Sequence, residues 1–137
     1  MAVYAIKTEV GDNAARAFAF AAQKTMYGGK RIAAGDTVYL FASENAGGAG
    51  LFARGTVIAA EAVAPRPGVA RQTPRVSVRI RRTATARRPL GRAELKPHAQ
   101  WDDGRPQTEL NFKLYRQATD KIVGLSDAAA AFLDAHF

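Results

Sequence analysis

Apolar and polar positions alternate along the chain in short runs, and glycine or proline interrupts them at close intervals. Ala2 to Lys7 (AVYAIK) alternates well enough for a strand whose exit is Lys7, Thr8 and Glu9. After Gly11, Asp12 or Asn13 stands where a short polar side chain caps a helix. Residues 14–24 (AARAFAFAAQK) then set Phe18, Ala21 and Ala22 against Arg16, Gln23 and Lys24, which predicts a half-buried helix. Tyr27-Gly28-Gly29-Lys30 ends it. Thr37 to Ser43 (TVYLFAS) is rich in β-branched and aromatic residues and reads as a strand, followed by the loop Glu44 to Gly50 and a second strand over residues 51–63. Gly55 inside that strand marks a bulge or a close backbone approach.

From Arg75 to Arg82 the alternation is strict, with Val76, Val78 and Ile80 on one face and Arg75, Ser77, Arg79 and Arg81 on the other. Pro89 to Lys96 makes a helical turn that Pro97 stops, and Trp101 to Gly104 is a polar loop tip. Leu110, Phe112 and Leu114 oppose Asn111, Lys113 and Tyr115, which predicts a last strand running into Arg116 and Gln117. Ser126 caps a closing helix over residues 127–137. These elements describe an α+β chain: five or six strands in a curled, barrel-like sheet with two or three flanking helices, forming one domain over residues 1–137. The strands follow one another too closely for repeated βαβ units.

Charge sharpens this picture. The chain carries 20 Lys+Arg against 12 Asp+Glu, a formal net charge of +8. Residues 62–93 contain nine arginines and no acid, so the rest of the chain is close to neutral. Arginine presents a planar fork that suits phosphate and stacks on bases, and an acid-free run of it points to a polyanion partner.

Other chemistries are excluded or weakened. There is no Cys, hence no disulfide framework, thiolate metal site or Cys nucleophile. His98 and His136 have no ligand partner at metal spacing, so no metal is expected. No apolar run approaches the ~20 residues that cross a bilayer as a helix, and acidic residues come too early for a secretory signal. A soluble, cytoplasmic protein that needs no cofactor is the expectation.

Three segments, in order, carry a resemblance: the strand ending Lys7-Thr8-Glu9, residues 35–63 (GDTVYLFASENAGGAGLFARGTVIAAEAV) and residues 112–133 (FKLYRQATDKIVGLSDAAAAFL). Together they resemble the EVE domains, relatives of the YTH and ASCH domains in the PUA-like superfamily. That resemblance implies a PUA-like pseudo-barrel whose central pocket takes one modified, flipped-out or unpaired base of DNA or RNA. Phe41-Ala42-Ser43-Glu44-Asn45 before a glycine-rich turn looks like the pocket-wall hairpin of the YTH domain. The sequence departs from the pattern at Tyr4-Ala5, where EVE domains usually have tyrosine–tryptophan, and near Met26-Tyr27, where the YTH pocket has a tryptophan. The one tryptophan is Trp101.

A flipped base needs flat aromatic or guanidinium walls and a few donors and acceptors for its edge, with cations outside for the backbone. On this reading Lys7, Thr8, Tyr27, Phe41, Ser43 and Asn45 wall the pocket and Trp101 closes it. Arg75, Arg79, Arg81, Arg82, Arg87, Arg88 and Arg116 meet phosphates, although Arg116 is also placed to pair with Asp120. The expectation is a nucleic-acid-binding domain without catalysis. Two rivals remain. One is an ASCH-like amidohydrolase acting on acylated nucleosides through Lys7-Thr8 or Lys24-Thr25 with Glu61. The other is a ribosome-associated or RNA-associated module with no specific pocket.

Overall fold

Six strands close into one barrel in the computed structural model, which describes residues 2–116 and 119–137. They are β1 (Val3–Thr8), β2 (Ala17–Met26), β3 (Thr37–Ala42), β4 (Gly50–Ala62), β5 (Arg75–Thr85) and β6 (Lys121–Gly124). Around the barrel the order is β1-β3-β4-β5-β2-β6. Two pairings are parallel, β1 with β3 and β2 with β6, and the other four are antiparallel. The helices are α1 (Arg92–Leu95), α2 (Pro106–Leu110), which continues into a single π-helical turn at Asn111–Tyr115, and α3 (Asp127–Asp134). This is the α+β barrel expected from the alternation, with six strands and three flanking helices.

Side chains from alternate strand positions separate into two apolar layers, as the period of two requires. Tyr4, Ile6, Phe18, Val38, Leu40, Val57, Val76, Val78, Ile80 and Ile122 fill the barrel. Ala5, Tyr39, Phe41 and Val123 point outward from β1, β3 and β6 and are covered by Leu95, Leu110, Leu114, Tyr115 and Leu133 of the helical segments. The helices therefore shield only one side of the barrel. The outer faces of β2, β5 and the far half of β4 stay in solvent.

Two predicted elements have a different form. Residues 14–24 do not make a helix: from Ala17 onward they are strand β2, paired with β5 on one side and β6 on the other. Phe18 and Phe20 turn inward while Ala17, Ala19 and Ala21 face out, so alternation and ladder hydrogen bonds override the helix preference of alanine. Leu110–Tyr115 is helical rather than extended. Asp103 starts this segment, its carboxylate accepting from the Arg105 amide at 2.9 Å and the Thr108 hydroxyl at 2.9 Å, and Pro106 occupies its first turn. Leu110 and Leu114, four apart, are buried together, as are Asn111 and Tyr115. Gln117, the end of the predicted strand, lies outside the described residues.

Strand β6 is not among the expected strands, whereas the Gly55 and Ser126 predictions match. Gly55 sits at a register shift in β4, and its backbone approaches Ile80 and Arg81 so closely that a Cβ would lie 2.5 Å from the Ile80 methyl. Ser126 caps α3, its hydroxyl accepting from the Ala129 amide at 3.1 Å.

Candidate functional site

β1 and β3 run in parallel and end together, so Lys7 and Thr8 lie beside Phe41 and Ala42, and the Ser43 amide donates to the Thr8 carbonyl at 2.9 Å. Neighbouring residues of a strand face opposite ways. Lys7 projects outward with Phe41, and Thr8 takes the other side, where its hydroxyl donates to the Asp120 carboxylate. Lys7 is only 5 % exposed although it carries an ammonium. Its Nζ lies 4.4 Å from the centre of the Tyr115 ring, which also packs edge-on against Phe41.

Burial holds the Lys7 ammonium below the ordinary lysine range, and the nearby Glu44 carboxylate opposes that shift. Burial first, and then the Glu44 charge, push the Tyr115 phenol far up, so it stays protonated and donates its hydroxyl to Glu44 at 3.0 Å. Glu44 also accepts from the Arg92 amide at 2.7 Å, and the Arg92 guanidinium donates to Asn45 at 2.6 Å. The turn after β3 is thereby tied to the start of α1.

Ser43 Oγ and Asn111 Oδ1 are buried without a partner, as is Gln23 Oε1 in β2. The Asn111 amide nitrogen donates to the His98 carbonyl at 2.9 Å, which leaves the oxygen free. Buried polar atoms are nearly always paired, so all three atoms are exceptions to the rule.

The structure thus brings Lys7, Phe41 and Ser43 together, with Thr8 on the opposite strand face and Asn45 at the exposed rim. Tyr27 and Trp101 contact other residues. Tyr27 is half exposed, with the Lys113 ammonium 5.0 Å from its ring centre. Trp101 is 79 % exposed and borders a shallow hollow of about 170 Å³ with Arg105, Thr108, Glu109 and Phe112. Tyr115 and Glu44 are the members the sequence reading missed. Their only signal was position: Glu44 lies inside the hairpin motif, and Tyr115 lies inside the closing segment.

Among the described residues only two ion pairs form, Arg54–Asp134 and Lys113–Glu109. Arg79, Arg81, Arg87 and Arg88 are exposed with no carboxylate partner. Arg75 donates to the Ala22 carbonyl at 2.9 Å, and Arg116 stacks 4.6 Å from the Phe112 ring centre. Arg82 differs. It donates to the carbonyls of Ala15 and Asn13 and lies over the rings of Phe18 and Phe52, so it ties the loop after β1 to the barrel. For the amidohydrolase reading, the Thr25 hydroxyl donates to the Pro74 carbonyl at 2.8 Å, and Glu61 is exposed opposite Ser77.

No family model matches the chain, and no curated protein matches it. Solved structures do. The human THYN1 protein, crystallised in complex with DNA containing 5-methylcytosine, is similar with a TM-score of 0.68 at 15 % identity, over 99 % of this chain and 98 % of that one. The DUF55 domain of human thymocyte nuclear protein 1 gives 0.65 at 15 % identity, over 97 % of each chain. A hypothetical protein from Leishmania major gives 0.64 at 14 % identity, over 98 % of this chain and 93 % of that one. At such identities the likeness is one of fold, and that fold is an α+β pseudo-barrel.

Proposed function

We propose that the chain is a non-catalytic nucleic-acid-binding domain that takes one base, modified or unpaired, into the site around Lys7 and Ser43. The observation that carries this reading is the covered Lys7 ammonium beside the unpartnered hydroxyl of Ser43. The ammonium offers a donor and the Ser43 hydroxyl a donor or acceptor for a base edge, and Phe41 and Tyr115 supply aromatic surface. The binding of methylated DNA by the THYN1 protein supports the same reading, since both chains share the fold along their whole length. The exposed arginines of residues 62–93 draw the phosphate backbone toward the protein.

Lys7, Phe41 and Ser43 lie beneath the surface, so the base reaches them when the Tyr115 ring moves off Lys7 and releases Glu44. Titration of labelled oligonucleotides, with and without modified cytosine or adenine and at two salt concentrations, tests the proposal. Tighter binding of one modified form supports the pocket, and no binding to any oligonucleotide at low salt overturns it.

A further inference from the structure

One line of cross-strand neighbours on the outer face of the barrel is entirely basic. Arg75 of β5 is paired with Lys24 of β2, Lys24 with Lys121 of β6, and Lys121 with Lys7 of β1. Directly opposed residues share a sheet face. These four share the outer one, because their chain neighbours Val76, Ile6 and Ile122 fill the barrel while Phe41, next to Lys7, lies in the outer layer. Four strands at about 4.8 Å spacing make a row about 14 Å long.

Like charges opposed across strands destabilise a sheet, so a run of four calls for a compensating anion. Glu44 lies near Lys7 at one end of the row, and among the described residues no carboxylate is paired with the rest of it. Asp120, next to Lys121, takes the Thr8 hydroxyl; Glu44 takes the Tyr115 hydroxyl; and Glu61 stands two strands from Lys24. Among the described residues none of the four row cations forms an ion pair.

The outer end of the row opens into a polar hollow of about 280 Å³. It is lined by Lys24, Arg66, Arg71, Gln72, Thr73 and Arg75. Its wall is built: the Gln72 side chain accepts from the Arg66 amide at 2.8 Å and donates to the Arg66 carbonyl at 2.8 Å and the Val69 carbonyl at 3.1 Å, closing the loop that carries Arg66 and Arg71. Four cations face this hollow with no carboxylate among its lining residues.

We infer that the phosphodiester strand flanking the bound base lies along Lys121–Lys24–Arg75 and ends in the hollow that Lys24 and Arg75 share with Arg66 and Arg71, with Lys7 at the buried end of the row left to the base. The arginine ridge of Arg79 and Arg81 acts at longer range. This inference rests on the base-binding reading for the base and on the register alone for the strand.

The test compares the full chain with the Lys24→Gln/Lys121→Gln/Arg75→Gln variant and with an Arg79→Gln/Arg81→Gln variant. Each is titrated with a short single-stranded DNA, the matching RNA, and a short linear polyphosphate that has no base. The row variant is expected to bind all three roughly tenfold or more weakly. Its log–log salt slope for the oligonucleotides should fall by about 2, near 0.7 for each lost contact on a single strand. The ridge variant should lose less on both measures. Equal affinity and slope in the row variant and the unmodified chain, or a larger loss in the ridge variant, overturns the inference. Loss of polyphosphate binding in the row variant, with no oligonucleotide bound by any form, keeps the anion row and overturns the base-binding reading instead.

Discussion

Lys7 and Tyr115, 108 positions apart in the chain, form a single unit, with the ammonium 4.4 Å from the centre of the ring. Tyr115 in turn gives its hydroxyl to Glu44. A cation is thus held against a π face under a cover of protein, an arrangement that costs stability unless a ligand uses it.

Replacement of that cation is therefore expected to help the free protein. Lys7→Met keeps most of the side-chain volume and removes the buried charge, and should raise unfolding stability near neutral pH by about 1 kcal/mol. The Lys7 pKa is lowered by folding, so the unfolded state binds the extra proton between the lowered value and the ordinary one. Stability of the unmodified protein consequently rises with pH across that window, and the advantage of Lys7→Met shrinks there. Denaturant melts of both proteins over an alkaline pH series check this. The same variant should lose discrimination between modified and unmodified bases.

Ser43→Ala separates stability from binding in the same way. The hydroxyl is buried and unpartnered, so its removal should leave stability unchanged or raise it by up to about 1 kcal/mol. Oligonucleotide affinity should drop roughly tenfold if the hydroxyl meets a base edge. A variant that is destabilised and binds normally would show that Ser43 serves the fold.

Arg82→Ala has the opposite profile. The side chain holds the Asn13–Ala15 backbone and covers two phenylalanine rings, so its loss should cost about 2 kcal/mol in a thermal or denaturant melt. The salt slope of oligonucleotide binding should not change, because this guanidinium is turned to the protein.

Gly55→Ala should be the most damaging of the four. The new methyl group would stand 2.5 Å from Ile80 and 2.7 Å from the Arg81 carbonyl, and the barrel wall must shift to admit it. A loss of about 2–3 kcal/mol is expected, read as a lower midpoint with an unchanged denaturant slope.

The barrel was readable because strands β3, β4 and β5 carry their own alternation, and α3 carries both a cap and an apolar face. β2 was not, since AFAFAA satisfies a helix locally and only its two neighbours make it a strand. At residues 110–115 the converse holds: a period of two in Leu110, Phe112 and Leu114 coexists with a spacing of four in Leu110/Leu114 and Asn111/Tyr115, and packing on β1 and β3 selected the second. The candidate site was half readable. Lys7, Phe41 and Ser43 came from the resemblance. Tyr115 reaches them only through a helical turn that the pattern had read as extended, and the pairing of Lys24 with Lys121 depends on a parallel contact between distant strands.

The four residues of β6 have a consequence for how the molecule is made. Every ladder of the barrel except its last two can form from residues 3–85, but β1 and β2 keep open edges until Lys121–Gly124 slides between them. Closure therefore waits until Gly124 has left the ribosome, and a product cut short before residue 121 would expose two unpaired strand edges to its neighbours. The shortest strand is the one that removes the last open edges of the barrel.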